Sequence, residues 1–135
     1  MALKLGTQEW IDAIAERLRG DATYQEKAKG FNSNYQFIFE PANGVEERRA
    51  CGLYLPDAKT TWMGEREADY IMSGPYGVYY DVLRGKLGAT VAIATRKLRV
   101  RGNLANLLRY TGAINRFVEL MQDLDIELEG EAGNK

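Results

Sequence analysis

The stretch YYDVLRGKLGATVAIATRKLRVRGNLANLLRY, Tyr79 to Tyr110, changes its periodicity three times, and those changes decide the fold. Its start belongs to a helical pattern that Pro75 opens and Gly85 closes. Proline suits the first turn, where no N–H is needed, and glycine suits the C-terminal cap. GATVAIATRK (Gly88 to Lys97) reads as a second, short helix. KLRVRG then alternates, with Leu98 and Val100 on one side and Lys97, Arg99 and Arg101 on the other, as in a half-buried strand. Asn103 is a good N-cap for a final helix. Leu104, Leu107, Leu108, Thr111 and Ile114 form one stripe on it. Phe117, Leu120, Met121 and Leu124 continue the stripe at a shifted angle, and Gly112 is expected to bend or break the helix.

The same two periods organise the chain upstream. Thr7 predicts the cap of a helix over Gln8–Arg19, with Trp10, Ile11, Ile14, Ala15 and Leu18 at helical spacing and Gly20 at its end. Asp21 predicts the cap of a shorter helix over Ala22–Lys29, closed by Gly30. In NYQFIFEP the period becomes two: Tyr35, Phe37 and Phe39 face one way, Gln36, Ile38 and Glu40 the other. PANG (Pro41 to Gly44) and PDAK (Pro56 to Lys59) are turn signals around a return strand, RRACGLYLP, and TTWMGE and ADYIMSG follow as strands. The expectation is an antiparallel meander. The fold class is α+β: about five mostly antiparallel strands with helices covering one face. One domain over residues 1–128 and a flexible, solvated tail over 129–135 complete the expected organisation.

Composition narrows the chemistry. The chain has 135 residues, 45% of them apolar, enough for one real core. It has no histidine and one cysteine, Cys51. The commonest general base, the Ser-His and Cys-His pairs and the usual zinc spacings are therefore missing. There is no P-loop and no G-x-G-x-x-G. Carboxylate, lysine or tyrosine chemistry stays open, but no local constellation suggests it. The expectations are no catalytic residues, no metal and no cofactor. The longest mostly apolar run, Leu87 to Thr95, is too short to cross a bilayer. The opening MALKLGTQEW does not read as a secretory signal. A soluble, cytoplasmic protein is the default reading, with oligomeric state undetermined.

From Tyr79 to Tyr110 the order of elements resembles the type 2 sterol carrier protein family. Gly85, Lys86 and Leu87 match its Gly-Lys-Leu helix end. Lys97, Leu98, Val100, Gly102 and Asn103 match the strand that opens its last helix. The chain departs from the pattern at Gly88–Ala89, where the family usually has Asp-Pro, and at Ile93 and Arg96, where it often has Phe and usually Gly. The small side chains of GATVAIAT imply a roomier or differently shaped pocket. The resemblance implies an apolar tunnel between sheet and helices that holds a fatty acid, acyl-CoA or sterol-like molecule without chemistry. The candidate lining is Phe37, Phe39, Trp62, Tyr79, Leu83, Ile93, Leu104, Leu107, Leu108, Ile114, Phe117 and Met121. An ordinary core filled by these same side chains is the other reading. One or two of Tyr76, Tyr79 and Tyr80 would offer a hydroxyl to a head group, or would serve structural hydrogen bonds.

Charge is unevenly distributed. Val82 to Val118 holds eight Lys/Arg and no Asp/Glu, while the rest of the chain carries ten basic and nineteen acidic residues. A split of this size speaks about partners rather than fold. Lys97, Arg99 and Arg101 are expected as a basic rim at the tunnel mouth, attracting an anionic head group or an acidic membrane surface. Pairing with neighbouring acids is the alternative. Nucleic acid is not expected, because only Tyr110 and Phe117 offer rings for stacking among these charges.

Overall fold

A computed structural model describes residues 2–131 of the chain. In chain order the elements are β1 (Leu3–Lys4), α1 (Gln8–Gly20), α2 (Ala22–Lys27), β2 (Ser33–Glu40), β3 (Arg49–Leu55), β4 (Thr61–Met63), β5 (Tyr70–Pro75), α3 (Tyr76–Leu83), α4 (Ala89–Ala94), β6 (Arg99–Arg101), α5 (Leu104–Leu108), α6 (Thr111–Gln122) and β7 (Ile126–Glu127). The caps are the side chains that the spacing predicts. The Trp10 N–H donates to Thr7 Oγ1 at 3.4 Å, Tyr24 N–H to Asp21 Oδ2 at 2.8 Å, and Asn106 N–H to Asn103 Oδ1 at 3.0 Å. Each satisfies an amide that a helix start leaves without a partner. On α1 the buried residues are Trp10, Ile11, Ile14, Ala15 and Leu18.

The five-stranded sheet runs β4-β3-β2-β5-β6. β2–β3, β3–β4 and β5–β6 are antiparallel, and β2–β5 is parallel. The fold is therefore α+β with a mostly antiparallel sheet, but the meander ends at β4. The chain leaves β4 on one edge and returns beyond β2. Residues 64–69 cross the outer face of the sheet, and fully buried Gln36 fastens them there. Its Oε1 accepts from Trp62 Nε1 at 2.8 Å and from Arg66 N at 3.1 Å. Its amide nitrogen lies 3.1 Å from the Gly64 carbonyl. Gly64 and Glu65, expected at the end of the strand TTWMGE, belong instead to this crossover, since β4 ends at Met63.

Two further expectations change. The final helix is two helices, and the break falls at Arg109–Tyr110; Gly112 lies inside the first turn of α6. Tyr110 turns inward there, its ring 5.0 Å from that of Phe31. Residues 129–131 of the expected tail make contacts with the fold. Glu129 makes a paired contact with Arg49, Nη1 to Oε2 at 2.6 Å, and Glu131 N–H donates to the Asn43 carbonyl at 2.8 Å. Residues 132–135 of the expected tail lie outside the described residues. β1 and β7, paired in parallel, tie the two ends of the described chain together.

Facing residues of paired strands share a side of the sheet. Tyr35, Phe37 and Phe39 face the helices; Gln36 and Ile38 face outward. α6 lies over the inner face and touches α1, α2, α3 and α4. The main core fills the layer between them.

Candidate functional site: an apolar cavity

Between the inner sheet face and the helices lies a cavity of about 80 Å³. β2 supplies Tyr35 and Phe37 as its floor, and β5 supplies Met72. α3 contributes Tyr79, Val82 and Leu83; α4 contributes Ile93; α5 contributes Leu107. α6 roofs it with Ala113, Ile114, Phe117, Val118 and Met121, and Trp10, Phe31 and Tyr110 help to close it. No charged side chain lines it. Leu83, Ala89, Ile114 and Val118 line the cavity and are also partly exposed. The wall is thus one side chain thick where α3 and α4 meet α6.

Eight of the twelve residues expected from the sequence meet at this cavity: Phe37, Tyr79, Leu83, Ile93, Leu107, Ile114, Phe117 and Met121. Four do not. Phe39 shares the inner face but is packed solid, with ring centroids 5.7 Å from Trp10, 5.9 Å from Tyr76 and 4.4 Å from Tyr79. Trp62 lies opposite Gly52, which lies opposite Gln36, so its ring is on the outer face. The Arg66 guanidinium sits 4.5 Å from that ring. Leu104 and Leu108 point away from the cavity and are 41% and 40% exposed. Their inward neighbour on α5 is Leu107.

Lining residues that the sequence did not single out include Trp10, Ala113, Phe31, Tyr110 and Met72. Trp10 and Ala113 sit on the inner faces of amphipathic helices, and Ala113 is one turn before Phe117, where a small residue under a roofing helix leaves space. Phe31 and Tyr110 stand in connections with no periodicity, so no pattern marks them.

The tyrosines of α3 spend their hydroxyls on the protein. Tyr79 O–H lies 3.2 Å from the Ile38 carbonyl and 3.1 Å from that of Met72. Tyr76 O–H donates to the Glu47 carbonyl at 2.6 Å, and Tyr80 O–H to Glu129 Oε2 at 3.4 Å. Burial raises the Tyr79 pKa well above its ordinary value and pushes Tyr76 and Tyr80 up to about 12. All three are neutral donors at physiological pH, so none supplies a base or a free head-group contact. Burial likewise pushes the Cys51 thiol up to about 12, which keeps it protonated and unreactive. What the cavity can do chemically is partition apolar matter from water.

The expected basic rim lies elsewhere. Arg99 and Arg101 face Ser73 and Ile71, which face Ile38 and Gln36, so both arginines are on the outer side of the sheet. Arg99 pairs there with Glu40. Val100, facing Met72, holds the inner side. Lys97 is exposed just before the strand. The three charges are solvent-facing, but two stand across the sheet from the cavity.

Among the described residues no group of three or more Cys, Asp or Glu could hold a metal, and no helix is long and apolar enough to cross a membrane.

Comparison with curated proteins gives no match. Among solved structures, the crystal structure of sterol carrier protein 2 superposes with a TM-score of 0.81 at 23% identity, covering 90% of this chain and 99% of that one. A conserved hypothetical protein from Thermus thermophilus, solved in solution, gives 0.81 at 21% identity over 95% of this chain and 94% of its own. Palmitated SCP2L2 from Aedes aegypti gives 0.56 at 14% identity over 90% and 98%. At these identities the likeness is one of fold. The sequence model of the SCP-2 sterol transfer family matches residues 11–115. That span takes in most of α1, all of α2, the whole five-stranded sheet, α3 to α5 and the start of the roofing helix, and by it the chain belongs to the SCP-2 sterol transfer family.

Proposed function

We propose that the chain binds an apolar, lipid-like small molecule in the cavity and carries it without changing it. The observation that carries this reading is a cavity lined by aliphatic, aromatic and thioether side chains and by no charged one, with the Tyr79 hydroxyl turned to backbone carbonyls. Such a site gains free energy from dehydration alone. Each buried methylene contributes about 0.8 kcal/mol. About ten give on the order of 8 kcal/mol gross, from which ordering costs are subtracted. The fold's likeness to a palmitated protein supports a fatty-acyl chain as the ligand class.

The cavity of about 80 Å³ is smaller than the roughly 150 Å³ that takes up benzene in an engineered protein core. An acyl chain therefore enters only if the thin wall at Leu83, Ala89, Ile114 and Val118 opens and flexible Met72 and Met121 change rotamer. The same small volume favours a second reading, an accessory protein whose cavity is filled by its own side chains. Extraction of the natively purified chain, followed by mass spectrometry, separates the two. A lipid recovered at near one per chain, and lost when Ala113→Trp fills the cavity, supports the carrier. A chain that carries no lipid and takes up none when offered fatty acid supports the second reading.

A further inference from the structure

We propose that α5 is the element by which this carrier touches an anionic lipid bilayer, with Leu104 and Leu108 entering the interface. The inference rests on the carrier reading and names the surface that would exchange the ligand. α5 has five residues, little more than one turn, and a helix that short has no stability of its own. Three fastenings hold it: the Asn103 cap, a hydrogen bond from Asn106 Nδ2 to Tyr70 Oη at 2.7 Å, and Leu107 against the cavity. Its two sides have opposite fates. Leu107 is 2% exposed and forms cavity wall. Leu104 and Leu108, one turn apart on the other side, are among the few large apolar side chains left in water.

The charges around α5 select the occupant. Arg101 precedes it and Arg109 follows it, both exposed, and among the described residues neither has a carboxylate within ion-pair distance. Elsewhere several arginines are engaged: Arg49 with Glu129, Arg99 with Glu40, Arg116 with Asp21. Two leucines flanked by free arginines, on a chain whose remaining sequence is acidic, fit a negatively charged membrane. Because Leu107 is on the same single turn, drawing Leu104 and Leu108 into lipid pulls directly on the cavity wall. The contact would thus loosen the cavity where the ligand has somewhere to go.

The test is co-sedimentation of the full chain with vesicles of phosphatidylcholine alone and with about one-third phosphatidylserine, at low and physiological salt. Wild type is expected to bind the anionic vesicles, more weakly as salt rises, and to ignore the neutral ones. Leu104→Ser with Leu108→Ser should lose binding by about tenfold or more at both salts. Arg101→Gln with Arg109→Gln should lose about tenfold at low salt and less at physiological salt. Both pairs are on the surface, so thermal melts should stay close to wild type. Uptake of dansylaminoundecanoic acid in the absence of vesicles should be unchanged in both, which keeps the cavity reading separate from this one. The proposal is overturned if wild type ignores anionic vesicles, or if both variants bind them like wild type. It is overturned too if the leucines prove to be a dimer contact, seen as a dimer that the serine variant splits.

Discussion

Gln36 is the residue on which the outer side of the sheet turns. It is fully buried, it faces away from the cavity, and it is surrounded by backbone rather than charge. Its amide has two N–H donors for three nearby carbonyls, and its oxygen accepts from both the Trp62 indole and the Arg66 amide. Gln36→Leu would leave two buried donors unpartnered. It should lower stability by about 3 kcal/mol in urea unfolding, with ligand uptake preserved because the cavity is on the other face. Gly52 is required beside it: a Cβ there would sit 2.3 Å from Cζ2 of Trp62 and 2.6 Å from the Tyr35 carbonyl oxygen. Tyr79→Phe removes one hydroxyl from the β2–β5 carbonyls and should cost about 1 kcal/mol. Its effect on fatty-acid affinity should be small, since the ring and not the hydroxyl meets the cavity; a loss of about tenfold, the size of one hydrogen bond, would give the hydroxyl a ligand contact.

At the scale of elements, α6 and the segment that follows β7 each carry a test. Gly112 lies in the first turn of α6, at an ordinary negative φ, with only the Lys27 side chain near its missing Cβ, at 3.7 Å. Gly112→Ala should therefore raise stability by about 0.5–1 kcal/mol, whereas a helix break at this glycine would make the change destabilising. Glu129 fastens the end of the described chain. The Arg49 guanidinium holds its carboxyl below the ordinary value, against the opposing effect of burial. A carboxyl with a depressed folded pKa stabilises the fold fully above its unfolded pKa and loses that contribution as pH falls through the folded value. Stability should thus decline from about pH 5 downward, and Glu129→Gln should cost about 2 kcal/mol at neutral pH while flattening that decline. Urea unfolding across the pH range measures both. Caps and stripes were legible because they are local: Thr7, Asp21 and Asn103 announce themselves within three residues of what they bind. The β2–β5 pairing was not, because its register depends on a crossover held by one buried glutamine. A break in the final helix was legible, but its place at Arg109–Tyr110 rather than at Gly112 was not, since Tyr110 is turned inward against Phe31, far away in the chain.

For the whole molecule, the layout is a sheet with a mixed outer side and an apolar inner side, and a roofing helix that does not quite fill the space beneath it. Which residues line that space was legible where an element's period fixes its inner face, as for Phe37, Tyr79 and Phe117. It failed for Trp62 because β4 is three residues long and its face depends on pairing with Gly52. It failed for Leu104 and Leu108 because α6 begins at a new angle after Tyr110, so α5 and α6 do not share one stripe. The central claim is that the cavity under α6 opens to take one apolar chain. Methyl NMR of the full chain during titration with palmitate tests it most directly. The account predicts one saturable site, with Met72, Met121, Ile93 and Ile114 shifting together. Met63 on the sheet edge, Ile38 on the outer face and Ile11, which does not line the cavity, should stay in place. Shifts confined to surface methyls, or none while the fold remains intact, would contradict it.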